Sequence, residues 1–385
     1  MGAVCAAGCG IKNAWTAVKE GKDCLSHLSI FDCGLKNPPL CGQIKEFTDN
    51  FNSPNKTSAF SCAAVNEALA NIKNRKGLSF GLVFATTVGG ITKSEIFYRE
   101  FKKDQKLARI AEKELAYHEP CSISGFLCKV FNLKGFLTIS TACSTGLHAI
   151  GIAKKLVEKK IFDVCIALGS DALSILTIRG FASLTLIDSS GCKPFDKRRA
   201  GISLGEGAGA IVIASKEAAN KLEIEPIAQI CGWGASADCY HMTAPDPSGK
   251  GAIKAIENAI LDAALNSHYI DMISSHGTAT PDNDSAEIMA LKTIFNNNIP
   301  PFFSLKRTLG HTLAASGVIE SIFSIIAMNS KIIPPTAGFE VEDDNLGFIP
   351  TYFNNIEIKY FLKNSFGFGG NNAACIFAKN KIGEN

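Results

Sequence analysis

Apolar blocks and segments of helical period alternate along most of this chain. Residues 78–87 (LSFGLVFATT) form a continuous apolar run ending in Val88-Gly89-Gly90, the pattern of a buried strand. Residues 136–141 (FLTIST) predict another. After them, 144–160 carry the 3.6-residue period of a helix, with lysines in the last turn where the helix dipole favours cations. Residues 164–168 read as a short buried strand closed by Gly169-Ser170-Asp171, and 208–214 (AGAIVIA) as a further strand. A polar stretch, 215–225 (SKEAANKLEIE), then interrupts the pattern and divides the chain into 1–222 and 223–385. The second part predicts strands at 226–233, 272–275 and 301–304, helices at 249–264, 284–295 and 314–330, and two last strands at 359–365 and 373–378 around a Gly-rich turn. Residues 379–385 read as a solvated tail. Alternating strands and helices imply a layered α/β fold, and the similar order of elements in each half implies a duplicated architecture.

Composition narrows the class. Apolar residues make up 46% and charged residues 19% of 385, enough for a large core and far from the balance of a disordered chain. A net charge of +3, from 39 basic and 36 acidic residues, predicts neither a nucleic-acid partner nor a charged membrane surface. No apolar run has the length expected of a membrane span, and no secretory signal is recognisable, so no membrane insertion is expected. The 14 cysteines are irregularly spaced and include no C-x-x-C pair. They imply reduced thiols in a cytoplasmic protein rather than a disulfide scaffold or a structural zinc site.

Four segments carry candidate chemistry. Cys143, in Thr141-Ala142-Cys143-Ser144-Thr145-Gly146, sits where a strand meets a helix. The unpaired N–H groups and dipole there favour a thiolate below the ordinary ~8.5. The same position suits a buried structural cysteine. His276 opens the loop Ser275-His276-Gly277-Thr278-Ala279-Thr280-Pro281, where an imidazole beside hydroxyls suits a donor to a carbonyl; a loop histidine held by backbone has the same pattern. Lys306 and His311 lie in Lys306-Arg307-Thr308-Leu309-Gly310-His311, ahead of an otherwise apolar helix bearing Glu320. A buried carboxylate needs a cationic partner, and Lys306 is the candidate. In Ser365-Phe366-Gly367-Phe368-Gly369-Gly370-Asn371-Asn372 the glycines free the backbone around Phe368, whose N–H could serve as an oxyanion donor and whose ring could serve as a gate. An ordinary hairpin turn reads the same way.

Six collinear stretches, TACSTGLHAIG, KPFDKRRAGISLGEGAGAIVI, GWGASADCYHMTAP, SHGTATPDNDSAE, KRTLGHTLAASGVIE and NSFGFGGNNA, together resemble the β-ketoacyl-acyl-carrier-protein synthases of the elongating type II branch. The resemblance implies the thiolase-like fold, two related α/β halves in a five-layered α-β-α-β-α body. It implies that Cys143 takes an acyl chain from a carrier-protein thioester, with the N–H groups of Cys143 and Phe368 as the oxyanion hole. His276 and His311 would hold the malonyl thioester as it decarboxylates. Thr278 and Thr280 would bind the phosphopantetheine arm, and Lys306 and Glu320 would support the site. Asp284, Glu287 and Glu206 are expected to be structural, and His148 part of the core. No metal, nucleotide or flavin cofactor is implied. The expected partners are an acyl-carrier protein and a second subunit, as a homodimer or a heterodimer. Carrier proteins are acidic, so Lys193, Lys197, Arg198 and Arg199 are candidates for a docking rim, or else an ordinary solvated charge cluster.

Three departures accompany the resemblance. Lys56 is the one basic residue in Asn55-Lys56-Thr57, where relatives carry several, which points to a dedicated carrier protein. Relatives begin with a short strand of the kind VVVTG before a segment like Gly2-Ala3-Val4. Met1 standing after it predicts loss of a central strand, from a late start site or truncation. Asn371 replaces the usual threonine of GFGGTN, which predicts altered gating. Beside fatty-acid elongation, the same chemistry fits a polyketide or aryl-polyene pathway. A non-catalytic chain-length-factor-like subunit would lack the nucleophile. A thiolase would carry a second reactive cysteine in its C-terminal Gly-rich loop, and an initiating synthase would have Asn in place of the second histidine. A serine hydrolase would need a G-x-S-x-G elbow, which is not present.

Overall fold

The computed structural model describes residues 1–72, 74–104 and 112–380; part of the expected C-terminal tail lies outside them. Two sheets organise the chain. The first runs in the order Gly8–Cys9, Gly2–Cys5, Gly207–Ala214, Val164–Asp171, Phe80–Ala85, Gly135–Ile139. The second runs Phe302–Phe303, Met272–Ser274, Tyr360–Gly367, Asn371–Lys379, Ala228–Ala237. The sheets draw on residues before 215 and after 227 respectively, with the short helix Lys216–Lys221 between them.

Helices Thr145–Glu158 and Ser316–Ser330 lie between the sheets and pack on both. Lys56–Leu69 and Pro120–Phe131 cover the outer face of the first sheet, and Lys250–Asp262, with Pro281–Ile294 packed beside it, covers that of the second. The result is the expected five-layered, thiolase-like α-β-α-β-α body. Buried strands explain the unbroken apolar runs: Phe80–Ala85 and Val164–Asp171 are buried at every position, as parallel strands covered on both faces require.

Two sequence expectations need correction. The strand whose loss the position of Met1 predicts is present, next to the sheet edge rather than at its centre. Gly2–Cys5 itself fills that place, pairing antiparallel with Gly207–Ala214 from Gly2↔Ala210 to Cys5↔Gly207, so those backbone groups are satisfied. A segment of membrane-spanning length and apolarity also exists. Leu313–Ser330 has 18 residues and a mean hydropathy of 1.4, but 83% of it is buried between the two sheets as a core helix.

The two central helices meet at glycines. A Cβ on Gly146 would lie well inside contact of the Ala314 carbonyl oxygen and 3.0 Å from Val318 N, and one on Gly317 would lie 2.5 Å from Leu147 N. This close crossing brings the residues after His311 against the helix that begins beside Cys143, and so sets one half of the site against the other.

Candidate active site

Three segments end at one cleft, and each contains a non-glycine residue in the left-handed region. These are Ala142 (φ 53°) before Cys143, Ala279 (φ 68°) after His276, and Leu313 (φ 51°) after His311. Such backbone costs about 1–2 kcal/mol per residue and persists where surroundings over-determine it. Here side chains fix the turns. Thr145 accepts from the Thr141 N–H at 2.8 Å and its hydroxyl donates to Ala142 O, while Ser365 Oγ donates to Cys143 O at 3.0 Å.

The Cys143 sulfur and one nitrogen each from His276 and His311 lie within 4.8 Å of one another, all buried. The two imidazoles stand edge to face, centroids 5.4 Å apart, and Phe366 packs against His276 at 5.8 Å. His311 Nδ1 is 2.9 Å from Ser316 Oγ, and its backbone N–H donates to Ser203 O. The cleft above them is lined in part by Thr278, Thr280, Phe181, Ile202 and Phe368. The Thr278 and Thr280 hydroxyls are 3.0 Å apart.

Burial pushes the Cys143 thiol up to about 12; Lys306 and the N–H groups of Phe368 and Cys143 itself pull the other way, while Asp171 adds to the rise. The helix N-terminus was expected to lower this thiol, but desolvation outweighs it. The same two N–H groups that reach the sulfur are the donors assigned to an oxyanion hole. Burial, with Lys306 and Lys363 nearby, lowers both imidazoles well below the usual histidine range, so they are neutral at pH 7.

Beneath them lies a charged floor. Lys306 Nζ donates to Glu320 Oε1 at 2.5 Å and to the His276 carbonyl at 3.0 Å. Burial alone would raise the Glu320 carboxyl, but the ammonium groups of Lys306 and Lys363 hold it below the ordinary range. Glu287 accepts the N–H groups of His276 and Gly277 at 2.8 Å, and Asp284 those of Phe195 and Ala279. Glu206 joins the N–H groups of Ile44 and Leu173 to Lys56 Nζ at 2.8 Å, which engages that lysine with the fold. His148 packs edge to face on Trp233.

The Gly-rich segment is latched on two sides. Gly369 N–H donates to Met242 O at 2.8 Å, Asp238 N–H to Gly370 O at 2.9 Å, and Asn372 Nδ2 to Asp238 Oδ1 at 2.6 Å. The Phe368 ring rests 5.5 Å from that of Phe181. Asn371 pairs with Gly367 at the hairpin turn.

The basic segment 193–199 packs Phe195 beside Gly277 of the His276 loop, and each of its cations meets a carboxylate of the chain. Lys193 pairs with Asp188 at 3.7 Å, Lys197 with Asp344 at 3.3 Å, Arg198 with Asp196 and Glu340, and Arg199 with Asp343 at 2.6 Å.

Three contributors escaped the sequence reading. Asp171, at the end of strand Val164–Asp171, accepts from Thr86 Oγ1 at 2.6 Å and from the N–H groups of Thr87, Val88 and Ala314, tying the two halves behind Cys143. Asp238 holds the Gly-rich segment through Gly370 O and Asn372 Nδ2. Lys363 is fully buried in a strand; its signal was a lysine inside the apolar run 359–365.

The sequence profile "Beta-ketoacyl synthase, N-terminal domain" matches residues 1–219, and "Beta-ketoacyl synthase, C-terminal domain" matches 227–340. The "3-oxoacyl-[acyl-carrier-protein] synthase 2" of Coxiella burnetii is 30% identical over 406 residues, covering 98% of this chain and 97% of that protein. The protein of the same name from Staphylococcus aureus is 30% identical over 402 residues, with 98% and 97% covered. Among solved structures, a beta-ketoacyl synthase from Burkholderia phymatum superposes with TM-score 0.90 at 25% identity over 99% of this chain and 98% of its own. A ketosynthase in complex with its chain length factor from Xenorhabdus doucetiae gives 0.77 at 26%, over 98% and 96%. A fold of two sandwiched halves with a cysteine and two histidines at their junction defines a condensing acyltransferase. This chain belongs to the β-ketoacyl synthase family.

Proposed function

We propose that the protein performs the decarboxylative Claisen condensation of malonyl-acyl-carrier protein with a Cys143-bound acyl chain, giving a β-ketoacyl-acyl-carrier protein in fatty-acid elongation. The observation that carries this reading is the meeting of one thiol and two neutral imidazoles within 4.8 Å of one another at a cleft, with two backbone N–H groups reaching the sulfur. A thiol held near 12 needs a base as the acyl thioester arrives, and an imidazole kept neutral can accept its proton. The Cys143–acyl bond forms as the carrier thiol leaves with that proton. The N–H groups of Cys143 and Phe368 hold the tetrahedral oxygen, a contribution of about 3–4 kcal/mol per donor at comparable sites.

Malonyl-carrier protein then enters, its arm along Thr278 and Thr280. As its terminal C–C bond breaks and CO₂ leaves, His276 and His311 donate to the thioester oxygen that gains charge. The released electron pair attacks the acyl carbonyl, a new C–C bond forms, and the Cys143 sulfur leaves and is reprotonated. Lys306 and Glu320 act as support, and Phe368 as a gate. This chemistry is written without metal or organic cofactor; the pantetheine travels on the substrates.

Carrier docking is assigned to the surface of 193–199. Lys197 and Arg198 keep about half their side chains exposed, whereas Arg199 and Lys193 are largely buried in ion pairs. A second copy is assigned to the sheet edge at Gly135–Ile139, where Phe136 and Leu137 stand exposed; a heterodimer would use the same edge. The cytoplasm is the assigned compartment. The second reading, polyketide or aryl-polyene assembly, is favoured by likeness to a solved "type II PKS acyl-carrier protein in complex with its ketosynthase bound to the hexaketide" (TM-score 0.89, 26% identity, 98% of each chain). Incubation with acyl-carrier-protein thioesters of graded length tests both. An acyl mass shift on Cys143, lost in Cys143→Ala, is expected, and no shift with any chain would refute the assignment.

A further inference from the structure

We infer that Lys363 is a positioning residue for the condensing site, sharing Glu320 with Lys306 so that two ammonium groups and one carboxylate form a buried triad under the histidines. The inference rests on the condensation reading for its kinetic part only. Lys306 Nζ stands 2.5 Å from Glu320 Oε1, and Lys363 Nζ stands 2.7 Å from Oε2. All three side chains are at most 2% exposed.

Lys363 also donates to the carbonyls of Ser275 at 3.0 Å, Asn364 at 2.7 Å and Ser274 at 3.3 Å. All four of these neighbours are acceptors. A neutral amine has two protons and would turn a lone pair toward oxygen, whereas an ammonium has three donors and no lone pair. Those contacts therefore hold Lys363 as a cation, although burial lowers it, with Glu320 opposing.

The carbonyls it binds are informative. Ser274 and Ser275 immediately precede His276, and Asn364 immediately precedes Ser365-Phe366-Gly367-Phe368. Lys306 holds the carbonyl of His276, and Glu287 holds its N–H. The peptide of His276 is thus fixed by charged side chains from three elements, and Lys363 links it to the strand that delivers Phe368.

The charges facing the imidazoles are Lys306, Lys363 from strand Tyr360–Gly367, Glu320 from helix Ser316–Ser330 and Glu287 from helix Pro281–Ile294. Cys143 and Asp171 approach from the first half. Two cations share one ion-paired carboxylate, since the Glu287 oxygens are taken by N–H groups of His276, Gly277 and Asn364. The surplus positive charge lies where an enolate develops negative charge.

Two measurements test this. Lys363→Gln keeps amide donors for the carbonyls and removes the charge; Lys363→Met removes both. In each, kcat for CO₂ release from malonyl-carrier protein is expected to fall on the order of tenfold or more with KM within about twofold. A wild-type kcat, or equal losses through KM, would overturn the role. The second is a double-mutant cycle on urea unfolding with Glu320→Gln. The triad requires Lys363→Gln to destabilise less in the Glu320→Gln background than in the wild type; equal costs would overturn it. The cycle needs no substrate. Wild-type protein that releases no CO₂ would count against the condensation reading and leave the cycle to decide the triad.

Discussion

Gly146→Ala tests the joint that sets Cys143 against His311. The added Cβ would meet backbone on every side: the Ala314 carbonyl oxygen, Val318 N at 3.0 Å and Gly317 N at 3.2 Å. That is roughly 1 Å inside ordinary contact, and backbone cannot step aside as a side-chain end can. Overpacking of this kind costs about 1–3 kcal/mol. Alanine returns about 1 kcal/mol through helix propensity, so a net loss of up to about 2 kcal/mol is expected. The helices must part to relieve the contact, and a 1 Å misplacement of reacting groups costs on the order of 100-fold in rate. Gly125→Ala is the control. Gly125 lies in helix Pro120–Phe131, and a Cβ there would meet nothing within 4 Å. It should leave activity intact and gain up to about 1 kcal/mol. Urea unfolding and single-turnover acyl transfer read both variants. Gly146→Ala with wild-type stability and rate would refute the argument that this crossing spaces the site.

Other outcomes follow from the electrostatics and the gate. His148 is lowered by burial to about 4, and His276 and His311 are lowered as well. The unfolded chain then binds more protons below pH ~6.5, so stability is complete above that value and falls as pH drops. His148 accounts for about 3 kcal/mol of that loss between pH 6.5 and 4; His148→Gln should flatten the pH dependence of the unfolding free energy, and an unchanged slope would contradict the assignment. With its thiol pushed up to about 12, Cys143 should be alkylated by iodoacetamide at pH 8 after exposed Cys121 and Cys239, and more slowly still in Lys306→Met; peptide mapping of the labelled protein would find Cys143 first if this is mistaken. Asp238→Ala removes the acceptor that holds Asn372 and should raise hydrolysis of the acyl-enzyme several-fold, read as loss of the Cys143 adduct with time.

The elements most legible in the sequence were those buried on both faces. Runs such as 80–85 and 164–171 announce themselves by apolarity alone. Helices Ile11–Lys19, Lys56–Leu69, Ile91–Lys103 and Ile175–Ser183 were not anticipated; Lys56–Leu69 mixes small polar residues into a buried face, so its period is weak. Cys143, His276, His311 and Phe368 could be named because each sits in a dense local motif, while their common cleft depends on a crossing of two glycines 171 positions apart that no local pattern encodes. Lys363 and Asp171 were missed for one reason: each is a charged residue whose partners are backbone groups and side chains distant in sequence. The ion pairing of 193–199 was equally invisible, because several of its carboxylates come from 340–344.

The central claim is that the sulfur of Cys143 and the two imidazoles divide one reaction between them. Acylated enzyme would be given malonyl-carrier protein labelled with ¹⁴C in its free carboxyl, and released CO₂ would be compared with the product extended by two carbons. The account predicts equal amounts, with His276→Ala and His311→Ala each halting both while Cys143, with the remaining imidazole as its base, still takes up the acyl chain. Label retained in the product, or extension at the wild-type rate without either histidine, would contradict it.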